Sequence, residues 1–150
     1  MSDSGAGGQR PTAIVRRLDE VEPEDVTWLM PGMIPAGKLT ILEGDPGLGK
    51  STLIADIAAR VSRGADLNGL EIYEPGVVVL LSSEDGLADT VRRRLDAAVG
   101  VCSRILVLEG YKDEHGTPYD LTIGDPRSSA GMVARENLIR EKRALLLCID

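Results

Sequence analysis

Eight residues constrain this chain more than all the rest: Gly44-Asp45-Pro46-Gly47-Leu48-Gly49-Lys50-Ser51. They match G-x-x-x-x-G-K-[ST], a glycine-rich loop that wraps phosphate oxygens with backbone N–H groups. Glycines permit the positive φ angles and the close approach that such wrapping needs. A helix beginning at the end of the loop adds free N–H donors and its positive dipole end. In that arrangement Lys50 reaches the β- and γ-phosphates of a nucleotide such as ATP, and the Ser51 hydroxyl binds the bridging Mg²⁺. The same motif makes Gly44, Asp45, Pro46, Gly47, Leu48, Gly49 and Thr52 candidate nucleotide contacts.

The motif demands a strand before it and a helix after it, and both are legible. Lys38-Leu39-Thr40-Ile41-Leu42-Glu43 follows the turn signal Pro35-Ala36-Gly37 and reads as a short buried strand. Leu53, Ile54, Ile57, Ala58 and Val61 fall at helical spacing, and Arg63-Gly64 supplies a basic last turn and a C-cap glycine.

Three more apolar runs follow. Val77–Leu81 lacks alternation, which is what a parallel strand covered on both faces requires. Leu87, Val91, Leu95 and Val99 predict a second helix that Gly100 closes, and Ile105–Leu108 predicts a third strand. Residues 109–125 read as an irregular excursion, with a hairpin around Glu114-His115-Gly116 as one option. Residues 130–142 are helix-compatible, and Ala144–Ile149 predicts a fourth strand. This alternation predicts an α/β fold, a largely parallel sheet flanked by helices. Residues 1–11, rich in Gly and Ser, read as a disordered lead-in, and 12–150 as one domain. Between them and the first core strand, Ile14, Val15 and Leu18 are candidate anchors, and 26–38 reads as a loop.

Two acidic positions complete the pattern. Leu145–Ile149 followed by Asp150 fits an apolar strand that carries a Mg²⁺-holding aspartate to the carboxyl edge of the sheet. Many strands end in Asp, so the motif draws its weight from the loop that precedes it. Glu84 ends the second predicted strand at the same edge. It either orients the water that attacks the γ-phosphate or belongs to a solvated strand end that caps the next helix. Asp85 beside it would hydrogen-bond water or a neighbour.

Other features are less directive. With 17 Lys and Arg against 24 Asp and Glu, the net charge of −7 disfavours strong nonspecific binding to nucleic acid by the domain as a whole. Cys102 and Cys148 lack metal or redox spacing and read as buried free thiols in a reducing, cytoplasmic compartment. No apolar run approaches the roughly 18 residues that a membrane span needs. Arg92-Arg93-Arg94 reads as a solvated helix face, with phosphate or subunit contact as the sharper option. Trp28 would pack in the core or at a hinge, or stack on a base. Lone His115 lacks metal-ligand spacing, and Tyr73, Tyr111 and Tyr119 are too scattered in sequence to suggest a stacking platform.

Taken together, Trp28–Thr40 leading into Gly44–Thr52, then Leu80-Leu81-Ser82-Ser83-Glu84-Asp85 and Leu147-Cys148-Ile149-Asp150, resemble the RecA-like AAA ATPases of the RepA type. These are relatives of hexameric replicative helicases. The resemblance covers about residues 26–150. It implies Lys50 and Ser51 as nucleotide and Mg²⁺ residues, Glu84 as the catalytic glutamate and Asp150 as the second Mg²⁺ ligand. It also implies ATP hydrolysis coupled to DNA replication or repair, in a homo-oligomer, with a hexamer as one option. Family members continue past the position of Asp150 into a further core strand, DNA-facing loops and an arginine finger. The chain therefore reads as the N-terminal part of such a domain, incomplete at its C-terminus. Two other readings stay open: a nucleotide-binding module without turnover, and a small-molecule P-loop kinase.

Overall fold

Val77–Leu81 (β3) forms the centre of a three-stranded parallel sheet of order β4-β3-β7. The computed structural model describes residues 13–65, 74–81, 85–120 and 129–149. Ile105–Val107 (β4) lies on one side of β3, with Val78 opposite Ile105 and Leu80 opposite Val107. Ala144–Ile149 (β7) lies on the other, with Val78 opposite Leu146 and Leu80 opposite Cys148. Being central, β3 buries both faces: Val78, Val79, Leu80 and Leu81 are all buried. β7 holds the edge, and its Leu145 and Ile149 remain about half exposed.

The helix after the glycine loop, Lys50–Arg63 (α1), packs across all three strands. Its Ala58, Ala59 and Val61 are fully buried, small enough to bring the helix close to the sheet. The sequence also marks its end. Gly64 sits at φ 76°, and the chain then turns back through Gly64 N–H and Ala65 N–H to carbonyls of the last turn. Ahead of α1, Trp28–Met30 (β1) and Ile34–Pro35 (β2) form a small antiparallel hairpin where a loop was expected. Its Met30 and Ile34 join the core.

The second helix departs from a regular 3.6-residue pattern. Leu87–Val91 forms a π turn that runs into Arg92–Ala97 (α2). Val91 and Leu95 are buried as the periodicity predicts, but Val99 is not. The helix ends before Val99, which sits exposed at φ 58°. A β-branched residue in that region is strained. Arg63 holds it there, donating from Nη1 to the carbonyls of Ala98 (2.7 Å) and Val99 (2.9 Å).

Gly110–Lys112 (β5) and Pro118–Asp120 (β6) confirm a hairpin around Glu114-His115-Gly116. Tyr111 and Tyr119 are paired across it and stack, with centroids 5.3 Å apart, so the two are adjacent in space although distant in sequence. Ser129–Lys142 (α3) packs on β7 and β5.

Three further expectations are corrected. Ile14, Val15 and Leu18 anchor nothing; all three are exposed. Trp28 lies in β1 with 43% of its surface exposed, because β1 is a two-stranded ribbon whose inner position is taken by Met30. Both cysteines are free but only half-buried. Residues 1–12 and Tyr73 lie outside the described residues.

Candidate functional site

The loop at 44–49 has the backbone its glycines foretell. Gly47 and Gly49 both sit at φ 81°, where a Cβ would be strained. Gly44 is different: a Cβ there would meet only ordinary contact, 3.5 Å from Leu48 Cδ1. The loop is exposed from Gly44 through Gly49 and turns through Leu48 N–H to Asp45 O (3.5 Å).

Gly49 is the N-cap of α1, and no side chain caps it. The first N–H groups of a helix have no partners within it, so this end is an open cluster of donors at the positive pole of the helix. Lys50 folds back over the loop. Its Nζ donates to Gly44 O (2.8 Å) and Asp45 O (2.9 Å). An ammonium beside the uncapped start of a helix fits a polyanion such as a triphosphate.

Ser51 is half-buried one residue further on. It lines a cavity of about 30 Å³ whose walls are mostly apolar, among them Ile54, Leu80, Leu81 and Val91, with Asp85 and Arg94 as its charged residues. Ser51 brings a hydroxyl to this cavity and Asp85 a carboxylate, oxygen ligands of the kind a hard cation such as Mg²⁺ takes. Among the described residues no group of three or more His, Cys, Asp or Glu could hold a metal ion without help. Mg²⁺ ordinarily takes only one or two protein ligands beside phosphate oxygens and waters, so this does not weigh against the fit. Glu84 and Asp150, the two carboxylates that the sequence assigned to the site, lie outside the described residues. So do Ser82 and Ser83.

The segment before the loop corrects the sequence reading. Residues 38–43 form no ladder with any described strand, and Leu39 and Ile41 are exposed rather than buried. A strand exists only through a hydrogen-bonded partner, and none of the described strands adjoins this segment. Instead, a cleft of about 420 Å³ separates Leu39–Leu42 from Leu146–Ile149, with Lys50, Ile54 and Ile57 on its walls.

Arg94 was missed. The arginine run read as a solvated face holds for Arg92, which pairs with Asp96 on the surface. Arg94 turns inward and pairs with Asp85, each about one-third exposed. Their separation of nine residues is no helical spacing, so periodicity gave no signal. Among the described residues no helix is long and apolar enough to cross a membrane.

Comparisons with known proteins agree with this geometry. Residues 8–150 match a family described as the AAA domain. The DNA repair protein RadA of Halalkalibacterium halodurans is 31% identical over 124 residues, an alignment that covers 70% of this chain and 26% of RadA. The chain thus spans about a quarter of that relative's length. No solved structure matches it.

Proposed function

Since this chain belongs to the AAA domain family, within the RecA-like P-loop ATPases, we propose that it binds Mg-ATP and hydrolyses it in a RepA-type motor acting on DNA. One observation carries the reading: left-handed glycines lead into an uncapped helix start, with the Lys50 ammonium drawn over the loop. The name of the RadA relative supports DNA repair as the setting. A cytoplasmic homo-oligomer, with a hexamer as one option, is part of the same proposal. So is the division into a lead-in at 1–11 and a motor domain from 12.

The chemistry assigned to the chain's residues is phosphoryl transfer to water. Backbone N–H groups of Gly44–Thr52 hold the phosphates in place. Lys50 leaves the carbonyls of Gly44 and Asp45 for the β- and γ-phosphate oxygens and stabilises charge as it develops there. Ser51 and Asp150 would hold Mg²⁺. The ion would supply Lewis-acid chemistry there, neutralising part of the phosphate charge. Glu84 orients the attacking water.

The reading extends to the cleft between Leu39–Leu42 and β7. Neighbouring strands lie about 4.8 Å apart, so a strand placed there would give each flanking segment a ladder. We assign the cleft to a further parallel strand of a longer parent chain, which would also convert residues 38–43 into the buried strand that their composition asks for. The open cleft favours a second reading, a module that binds nucleotide without turnover.

Phosphate release by wild type, Lys50→Ala and Glu84→Gln tests the proposal. Both variants should lose turnover, and Glu84→Gln should keep Mg-ATP binding. Turnover by Glu84→Gln at the wild-type rate overturns the role of Glu84. Mg-ATP binding by the wild type without phosphate release selects the second reading.

A further inference from the structure

The ion pair between Arg94 Nη1 and Asp85 Oδ2 joins two elements that have no local reason to meet. Asp85 follows the end of β3, and Arg94 lies on α2. Between them runs the π turn, in which Val91 N–H bonds to Gly86 O at 3.0 Å and the C-cap N–H of Arg92 to Leu87 O. Such a turn holds one more residue than an α-turn. Each helical residue advances the side chains by about 100°, so the extra residue rotates everything after it by that amount. The rotation aims Arg94 at Asp85 while Val91 and Leu95 stay in the core. A regular helix would present a different residue there.

Stability does not account for the pair. A partly exposed ion pair contributes little, and desolvating two charges costs free energy that apolar residues of similar size would not. Its location is more telling. Asp85 and Arg94 share one small cavity with Ser51, the hydroxyl assigned to Mg²⁺. That cavity has room for about one water molecule. The Asp85 carboxylate keeps acceptor capacity beyond the single contact to Arg94.

We propose that Arg94 is a positioning residue for the nucleotide site: it orients the Asp85 carboxylate toward the water-sized cavity beside Ser51, on the Mg²⁺ side of the loop. This rests on the Mg-ATP reading above. The arginine acts through Asp85 and touches neither nucleotide nor metal. Its effect therefore depends on Mg²⁺ and not on the phosphates alone.

Calorimetric titration of the full chain with ATP, once in excess Mg²⁺ and once in EDTA, tests this without requiring turnover. Arg94→Ala and Asp85→Ala should each weaken Mg-ATP about tenfold and leave metal-free ATP within twofold of wild type. The double variant should be no weaker than the worse single, since the two residues act as a unit. Arg94→Lys should recover part of the loss. Equal losses with and without Mg²⁺, no loss, or additive losses would each overturn the positioning role. If Arg94→Ala fails to fold, Arg94→Lys and Asp85→Asn carry the same comparison. Wild type that binds neither form of ATP refutes the nucleotide reading itself, and the role of Arg94 falls with it. That outcome is recognisable because the unmodified chain is then silent.

Discussion

Replacing Lys50 with alanine separates binding from folding, because the two effects differ in size. In the structure Lys50 Nζ makes two bonds, to Gly44 O at 2.8 Å and Asp45 O at 2.9 Å. Both are exposed and exchange readily with water, so their combined contribution to stability is about 1 kcal/mol or less. Removing a cation from the first position of α1 relieves an unfavourable interaction with the helix dipole of about 0.3–1 kcal/mol. The two effects oppose each other. The melting temperature of the nucleotide-free chain should therefore move by less than about 3 °C. With Mg-ATP bound, the same ammonium faces phosphate oxygens, and a hydrogen bond to a charged group contributes about 1.5–3 kcal/mol. Loss of about 2–3 kcal/mol weakens binding by about 30- to 150-fold. Titration calorimetry with Mg-ATP and thermal melts followed by circular dichroism measure the two quantities separately. Binding within threefold of wild type would refute the phosphate role. A fall in the nucleotide-free melting temperature of more than about 6 °C would show instead that Lys50 acts as a latch for the loop.

Two further outcomes are expected away from the loop. Ser62 is fully buried; its Oγ donates to Ala59 O (2.7 Å) and accepts from Val101 N–H (2.9 Å). Ser62→Ala orphans that N–H and should cost about 1–3 kcal/mol, lowering the melting temperature by about 3–10 °C; an unchanged melt refutes this account. In the β5–β6 hairpin, the Asp113 carboxylate accepts N–H bonds from Thr117 and His115 and the Tyr119 hydroxyl. The bond from the Thr117 backbone leads in holding its pKa below the ordinary 3.8. A depressed folded-state pKa contributes stability above the unfolded value and loses it as pH falls through the folded one. NMR titration followed at the Asp113 carboxyl carbon should thus show a midpoint below 3.8. The charge on Asp113 also raises the Tyr119 phenol above 10, and Asp113→Asn should bring it back down.

What could be read from the sequence was local. The loop, the helix behind it and the Gly64 stop depend on φ preferences and on contacts within a few residues, so Gly47, Gly49 and Arg63-Gly64 reveal them directly. The apolar runs at 77–81, 105–107 and 144–149 announced parallel strands for a similar reason, since both faces of a covered strand must be apolar, but only the central run at 77–81 is buried throughout most of its length and the edge run at 144–149 is not buried. Errors began where a partner from elsewhere was needed. Residues 38–43 have strand composition but no adjoining strand among the described residues, and Trp28 has core composition on an exposed ribbon position. Tyr111 and Tyr119 stack because Gly116 and its neighbours reverse the chain between them.

The candidate site divides along the same line. The eight-residue loop by itself specified a phosphate cradle, a cation above it and a hydroxyl beside it, because all of these lie within one turn of chain. It could not specify what stands opposite Ser51. A π turn of one extra residue rotates Arg94 onto Asp85, and no residue-type preference encodes that rotation. Only packing of α2 against α1, with Val91 and Leu95 held in the core, decides it. The sequence alone therefore determined the class of ligand. The tertiary structure decided which distant side chains face the site, since sheet order and helix rotation are set by contacts between residues far apart in the chain.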